Sequence, residues 1–197
     1  TTGTPLCAII RNGDTRSKDY SKTKDFVRPG HADYSGFERY SGFNDYRGGG
    51  HFSGRLTAPL VFAGAICKQI LEEKGIFIGA HIGSIKNIED DSFNPTNIST
   101  KELLNLKSKE LPLINEALEE KIRHTIMQAK YEGDSVGGTI ECAIVGIKAG
   151  VGNPFFDSIE STLAHLMFSV PAIKGIEFGR GFDMTKLFGS EANDEYY

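Results

Sequence analysis

Residues 60–71, LVFAGAICKQIL, constrain the fold more than any other stretch of the chain. The segment is apolar on nearly every side, with Lys68 and Gln69 as its main polar break, and it predicts a helix that ends at Gly75. A helix that is hydrophobic all round needs partners on all sides. The sequence therefore predicts a helix enclosed between other elements, which favours a layered architecture.

The other apolar segments mix strands and helices without regular alternation along the chain. Because a doubly wound parallel sheet requires that alternation, an α+β fold with antiparallel sheet is favoured. The expected elements are a buried strand at residues 4–10, a long polar segment at 11–46, strands at 76–85 and 138–147, turn and helix-cap chemistry at 90–99, a helix at 113–129, and a helix at 157–167 that is capped by Asp157 or Ser158 and stops before Pro171.

Composition limits the class of protein. With 197 residues, 39% of them hydrophobic and 24% charged, the chain has a globular balance and a length typical of one domain. Its net charge of -4 gives no general affinity for nucleic acid or anionic membranes, so an anion site would have to be local. We expect neither a membrane span nor a signal peptide. The cysteines Cys7, Cys67 and Cys142 are widely spaced, which indicates reduced thiols in a cytoplasmic protein and no metal site.

Two glycine-containing turn motifs carry arginines: RPGH, from Arg28 to His31, and RGGGHFSGR, from Arg47 to Arg55. Three glycines in a row mark either a disordered linker or backbone that bends tightly and approaches something closely. The globular composition favours the second. If the turns converge, Arg28 and Arg55 could hold one anionic ligand, with a helix starting near Ser53 adding backbone N–H groups. A simple tight turn with Arg55 in solvent is equally compatible with the spacing.

Histidine and serine side chains are the candidates for acid–base or nucleophilic chemistry. Histidine exchanges protons readily near neutral pH, so His31 in the first turn is the acid–base candidate. His81, His124 and His165 lie in apolar or amphipathic segments, where a structural role is more common, and no pair has the spacing of a zinc site. Ser53 lacks the setting of a nucleophilic serine and is better suited to contact a ligand. The glycine run is not a P-loop, because no lysine followed by serine or threonine comes after it.

Seven motifs follow one another along the chain. They are TGTP (2–5), NGDTRSKDY (12–20), RPGHADY (28–34), DYRGGGHFSGR (45–55) with the following Thr57 and AGA (63–65), EGDSVGG (132–138), FDS (156–158), and KGIEFGRGF with GSEANDE (174–195). Each motif alone is modest, but in this order and over essentially the whole chain they resemble chorismate synthase.

The resemblance implies an enzyme that converts 5-enolpyruvylshikimate 3-phosphate into chorismate and phosphate by a 1,4-anti elimination. This is the last step of the shikimate pathway, which supplies aromatic amino acid biosynthesis. Reduced FMN is the implied cofactor, although no net oxidation or reduction occurs, and NADPH is implied where the protein also reduces its flavin. The implied architecture is a layered sandwich with helices between antiparallel sheets, assembled as a cytoplasmic homotetramer.

The resemblance also assigns roles to residues in the matching motifs. His31 corresponds to the family's acid histidine, near flavin and substrate. Arg28 and Arg55 correspond to arginines that hold the substrate's phosphate and carboxylates. Many members have arginine and serine at positions 51 and 52, so a side-chain salt bridge to the flavin phosphate is not carried over. The implied FMN-binding residues are His51, Phe52, Ser53, Glu191 and Ala192.

Three further motifs of the family are not found in this sequence. They are the N-terminal Gly-Glu-Ser-His-Gly motif with a second catalytic histidine, a Lys-Pro-Thr-Ser-type flavin loop, and an Arg-x-Asp-Pro motif. Residues 1–197 are therefore expected to form the central part of a single chorismate synthase domain, and this part alone is expected to be inactive. The alternatives are a non-catalytic module that binds FMN or phosphate, and an oligomerisation domain without a ligand.

Overall fold

The structure is a computed structural model that describes residues 2–13, 16, 18, 20–21 and 24–193. The chain divides into two compact units, one formed by Thr1–Ala65 with Gly152–Tyr197 and the other by Ile66–Val151. In the described residues the helices are α1 (Asp33–Arg39), α2 (Thr57–Glu72), α3 (Thr100–Lys107), α4 (Glu119–Tyr131) and α5 (Ile159–Met167), the strands are β1 (Phe77–Ile85), β2 (Ile88–Glu89) and β3 (Gly138–Val145), and 3₁₀ helices span Arg47–Phe52, Gly54–Leu56, Glu116–Leu118 and Gly181–Lys186.

The second unit is built on an antiparallel sheet with the strand order β2-β1-β3. The central strand β1 pairs with β3 from Phe77 opposite Val145 to Ile85 opposite Gly138. Helices beside one antiparallel sheet confirm the expected α+β class.

Two small hydrophobic clusters form the core of this unit. The first contains Phe93, Leu103 and Leu106 with Ala143 of β3, so α3 packs against the sheet. The second contains Ile88, Leu113 and Ile122, and the last two are fully buried. Burial of each such side chain contributes about 1.5–3 kcal/mol.

A buried histidine lies between two acidic side chains in the same core. His81 of β1 is 1% exposed. Its Nε2 lies 2.7 Å from Oε2 of Glu141, on the facing strand β3, and its Nδ1 lies 3.0 Å from Oδ2 of Asp90. The Nδ1 atom is also 3.0 Å from the Ile82 carbonyl oxygen. Carboxylate and carbonyl oxygens accept hydrogen bonds, so the imidazole ring bridges the two acidic side chains.

The two carboxylates connect this histidine to surrounding backbone. Asp90 accepts hydrogen bonds from the backbone N–H groups of Ile114 and Asn115, at 2.7 and 2.9 Å. Glu141 accepts from the N–H of Phe93 at 3.0 Å. The network therefore joins both long strands of the sheet to the segments that follow β2 and precede α4.

The helix expected at residues 60–71 is present as α2, but it is not enclosed by other elements in the described residues. Gly75 has φ +76° and ends the helix as expected, with the N–H of Ile76 bonded to the Leu71 carbonyl. None of the residues of α2 is buried, and Val61 is 70% exposed. The expectation of an enclosed helix is wrong for the described residues, because they do not cover its apolar side chains.

Of the other elements expected from the sequence, some are confirmed, one begins later than expected and one is wrong. The strands at 76–85 and 138–147 are confirmed as β1 and β3, and α5 is confirmed with Ser158 as its cap. The helix expected from 113 begins later, because Asn115 caps a 3₁₀ turn ahead of α4. The polar segment 11–46 contains a short helix, α1, that its sequence does not reveal. The strand expected at 4–10 is wrong: these residues are exposed and have no pairing partner in the described sheet.

We predict that His81→Phe lowers the free energy of unfolding of the second unit by about 3–5 kcal/mol, since two carboxylates lose their shared partner. Amide hydrogen exchange of β1 and β3 measures this unit by itself. The control is His124→Phe on the exposed surface of α4, for which a change within about 0.5 kcal/mol is expected. Equal effects of the two substitutions would contradict a supporting role for the buried histidine.

Candidate active site

The first turn motif folds as its sequence indicates. Pro29 and Gly30 occupy the centre of the turn, Gly30 has φ +73°, and the His31 N–H donates to the Arg28 carbonyl at 3.3 Å. A positive φ at the third residue is typical of a type II turn, which favours proline before glycine. The His31 side chain is exposed. The turn therefore presents the histidine to solvent and directs the chain into α1.

Arg28 forms a two-point ion pair with Asp33, the first residue of α1. Its Nε donates to Oδ2 at 2.8 Å and its Nη2 donates to Oδ1 at 2.9 Å. The backbone N–H of Arg28 also donates to Oδ2, at 3.0 Å. The side-chain hydrogen bond from Arg28 is the main cause that lowers the pKa of Asp33 to about 2, with a smaller contribution from the nearby His31. The two side chains are 31% and 22% exposed, so solvent screens the pair only in part.

The glycine run is an ordered, left-handed turn. Gly48, Gly49 and Gly50 have φ of 62°, 80° and 51°, a region that other residues adopt only with strain. A Cβ atom added to Gly48 would lie 2.8 Å from Nη1 of Arg55, and one added to Gly50 would lie 2.8 Å from the Asp45 carbonyl oxygen. The run therefore requires glycine both for its backbone angles and for close approach.

Arg55 is held against this turn. Its Nη1 donates to the Gly48 carbonyl at 2.7 Å. Ser53 caps the following 3₁₀ helix by accepting a hydrogen bond from the Arg55 N–H, so a helical segment does start beside Ser53, as expected. Arg55 is exposed, and its guanidinium group binds the Gly48 carbonyl through Nη1. Other N–H donors of its planar fork can bind an anion.

The two motifs are brought together through α1. Phe52, in the second motif, packs against Gly36 of α1, where an added Cβ would lie 2.8 Å from Cε2 of the ring. Tyr20 lies near both motifs: it interacts electrostatically with Arg28, and its hydroxyl is 3.8 Å from the Cβ position of Gly48. The two arginine-containing turn motifs therefore lie near one another in the first unit.

The other residues expected to bind flavin are exposed or make only local contacts. His51 is exposed, and Phe52 is 40% exposed although its ring packs on α1. The Glu191 carboxylate accepts from the N–H of Phe188, and the N–H groups of Glu191 and Ala192 donate to the Phe188 carbonyl. These hydrogen bonds are local. In the described part of the chain, no hydrogen bond or ion pair joins Glu191 to the glycine run.

Asp33, Gly36 and Tyr20 were not singled out as site residues by the sequence. Asp33 stands in RPGHADY, five residues after Arg28, and an acid at that distance across a turn is a signal that could have found the pair. Gly36 and Tyr20 gave no such signal, because their roles depend on contacts between segments far apart in sequence.

Fold and site together describe an α+β protein in which two neighbouring turn motifs carry arginines and an exposed histidine. The family model described as chorismate synthase matches residues 1–197. Chorismate synthase of Lancefieldella parvula is 44% identical over 98% of this chain and 54% of that protein, and chorismate synthase of Pyrococcus abyssi is 45% identical over 100% of this chain and 53% of that protein. The chain belongs to the chorismate synthase family.

A solved structure agrees with this assignment. A chain titled "Crystal Structure of Chorismate Synthase" matches with a TM-score of 0.73 and 34% identity, over 83% of this chain and 51% of that chain. The chain spans about half the length of the curated relatives it matches.

We predict that Gly48→Ala destabilises the first unit by about 1–2 kcal/mol, because alanine is strained at positive φ and its methyl group would displace Arg55. Urea unfolding followed by near-ultraviolet circular dichroism measures the effect. Gly54→Ala is the matched control, because a Cβ added there meets nothing within 4 Å and its φ is not positive. A cost at Gly48 no larger than that at Gly54 would contradict the left-handed turn.

The low pKa of Asp33 predicts a stability change at acid pH. Because the pKa is about 2 in the folded chain against an ordinary 3.8, the ion pair stabilises the folded state above about pH 4, and this contribution is lost as the pH falls through 2. A carbon-13 NMR titration of the carboxyl group should give a midpoint near 2 in the wild type. Arg28→Ala should move the midpoint back towards the ordinary value. A wild-type midpoint already at 3.8 would contradict the pairing.

Proposed function

We propose that the protein containing this chain is an enzyme of the lyase class, a chorismate synthase. It would convert 5-enolpyruvylshikimate 3-phosphate into chorismate and phosphate by 1,4-anti elimination, the last step of the shikimate pathway. The observation that carries the proposal is the match of the family model to residues 1–197. The named relatives are 44% and 45% identical to the chain.

The arginines of the two turn motifs, Arg28 and Arg55, support a substrate with several anionic groups. The proposed substrate carries a phosphate and two carboxylates, and a planar guanidinium group matches the geometry of both. Arg28 and Arg55 are the substrate-binding residues in this proposal. Each has further N–H donors besides those that bind Asp33 or Gly48. Charge-assisted hydrogen bonds from these donors would hold the substrate while the C–O bond to phosphate breaks.

His31 is the proposed acid. A ring N–H of His31 would donate a proton in the reaction, and the type II turn holds this histidine three residues from Arg28. The exposure of the side chain allows it to meet a bound ligand. His31 and Arg28 therefore serve adjacent parts of the same ligand in this proposal.

Reduced FMN is the proposed cofactor, and the proposal rests on the correspondence of residues 51–53 and 191–192 to the family's flavin-binding motifs. The glycine run sets the backbone just before residues 51–53, where a Cβ at Gly48 or Gly50 would lie 2.8 Å from Nη1 of Arg55 or from the Asp45 carbonyl oxygen of the chain itself. When bound, the flavin supplies electron density transiently while phosphate leaves, with no net oxidation or reduction. NADPH is a further cofactor if the protein also reduces its flavin. The residues proposed to hold FMN are His51, Phe52, Ser53, Glu191 and Ala192.

We also infer that residues 1–197 are the central part of one domain, and that the whole protein is a cytoplasmic homotetramer that acts on a small molecule. The exposed apolar side chains of α2, including Leu60 and Ile70, support burial against further surface in the whole protein. In the described part of the chain, no helix is long and apolar enough to cross a membrane.

The test is anaerobic turnover by the full product of the encoding gene, with reduced FMN and 5-enolpyruvylshikimate 3-phosphate. Formation of chorismate and phosphate in equal amounts is expected. Tight FMN binding without turnover would instead support a non-catalytic flavin- or phosphate-binding module. Neither turnover nor FMN binding would leave an oligomerisation domain as the better account.

We predict that His31→Ala in the same protein lowers turnover by roughly 10²–10⁴-fold through loss of proton transfer, with a much smaller change in substrate affinity. Steady-state kinetics with saturating reduced FMN measures both quantities. His124→Ala, on the surface of the other unit, is the control and should behave as wild type. Near wild-type turnover of His31→Ala would remove this histidine from the catalytic role.

We predict that Arg55→Ala weakens substrate binding at least about tenfold, because charge-assisted hydrogen bonds contribute about 1.5–3 kcal/mol. Arg55→Lys should recover only part of the loss, since an ammonium group keeps the charge but not the fork. Calorimetric titration into the FMN-loaded protein decides this, with the exposed Arg39→Ala as the control. If both Arg55 variants bind as tightly as wild type, Arg55 is only a solvated residue.

A further inference from the structure

We propose that Asp33 is a positioning residue that determines which edge of the Arg28 guanidinium group is offered to the anionic substrate. The inference rests on the proposed function, in which Arg28 binds that substrate. It assigns a specific task to an acidic side chain beside an anion site, where a negative charge would otherwise only oppose binding.

The hydrogen bonds of the pair divide the guanidinium group into two edges. Nε and one N–H of Nη2 are directed at the two oxygens of Asp33, at 2.8 and 2.9 Å. Guanidinium has five N–H donors, so the second N–H of Nη2 and both N–H groups of Nη1 remain. These donors lie at the end of the side chain. A substrate oxyanion can therefore bind Arg28 end-on while Asp33 keeps the side edge.

The position of the Asp33 carboxylate is itself fixed. Asp33 begins α1, and its Oδ2 also accepts the backbone N–H of Arg28 at 3.0 Å. The same carboxylate thus holds both the backbone and the side chain of Arg28. The His31 backbone N–H donates across the turn to the Arg28 carbonyl, so the backbone of His31 and the guanidinium group of Arg28 are both tied to the same turn.

The charges of the pair predict opposite effects on binding and on turnover. In Asp33→Asn the neutral amide keeps the size of the carboxylate but removes one negative charge and releases the Arg28 fork. An anion is then attracted more strongly, so KM should fall by about two- to fivefold. The freed guanidinium group can bind the anion through either edge, and displacement by about 1 Å costs up to about a hundredfold in rate, so kcat should fall by about 10- to 100-fold.

The experiment compares wild type, Asp33→Asn and Asp183→Asn as full gene products in the chorismate assay. Asp183 pairs with Lys186 on the exposed 3₁₀ helix Gly181–Lys186, so its substitution makes the same change in net charge, and neither constant should move more than about twofold. A fall in both kcat and KM only for Asp33→Asn supports the inference. Unchanged kcat, or lower kcat with raised KM as from general damage to the fold, overturns it.

A measurement on the wild type keeps the test decisive if Asp33→Asn does not fold. In proton–nitrogen NMR spectra, addition of inorganic phosphate should shift the Nη signals of Arg28 and leave its Nε–H signal in place. Movement of the Nε–H signal means that the anion displaces Asp33, which overturns the inference. An active wild type with an unaffected Asp33→Asn variant defeats this inference alone. An inactive wild type defeats the proposed function and this inference with it.

Discussion

Three successive residues, Gly48, Gly49 and Gly50, have positive φ and turn the backbone of the first unit back on itself. Only glycine adopts these angles without strain. The turn brings the Gly48 carbonyl to the guanidinium group of Arg55, which it fixes with a 2.7 Å hydrogen bond, and it sets Phe52 against α1. The position of one candidate substrate arginine and the contact between the two motifs therefore both depend on this backbone conformation.

Carboxylates are used differently in the two units. In the second unit, two carboxylates bind the buried His81 ring and also backbone N–H groups, so this hydrogen-bond network holds the core together. In the first unit, Asp33 holds Arg28 at a partly exposed site and leaves some of its donors available. Satisfied charges inside a core give structural definition, whereas partly satisfied charges near solvent are suited to binding.

Local patterns in the sequence predicted local structure. The helix α2, its end at Gly75, the strands β1 and β3, and the cap of α5 all follow from periodicity and turn chemistry within one segment. Burial and pairing did not follow, because they depend on partners elsewhere: α2 is uncovered, and residues 4–10 form no strand. The chain spans about half the length of its relatives. At the site, the motifs proposed both arginines as candidates, and the pairing of Asp33 with Arg28 was seen in the three-dimensional contacts.

In the proposed function, the two turn motifs form one site for an anionic substrate beside a flavin. A crystal structure of the full gene product with FMN and 5-enolpyruvylshikimate 3-phosphate bound tests this directly. We expect anionic oxygens of the substrate within about 3.2 Å of guanidinium nitrogens of both Arg28 and Arg55, with FMN against residues 51–53. A complex in which other cations hold the substrate, and both arginines keep only their present partners, would contradict it.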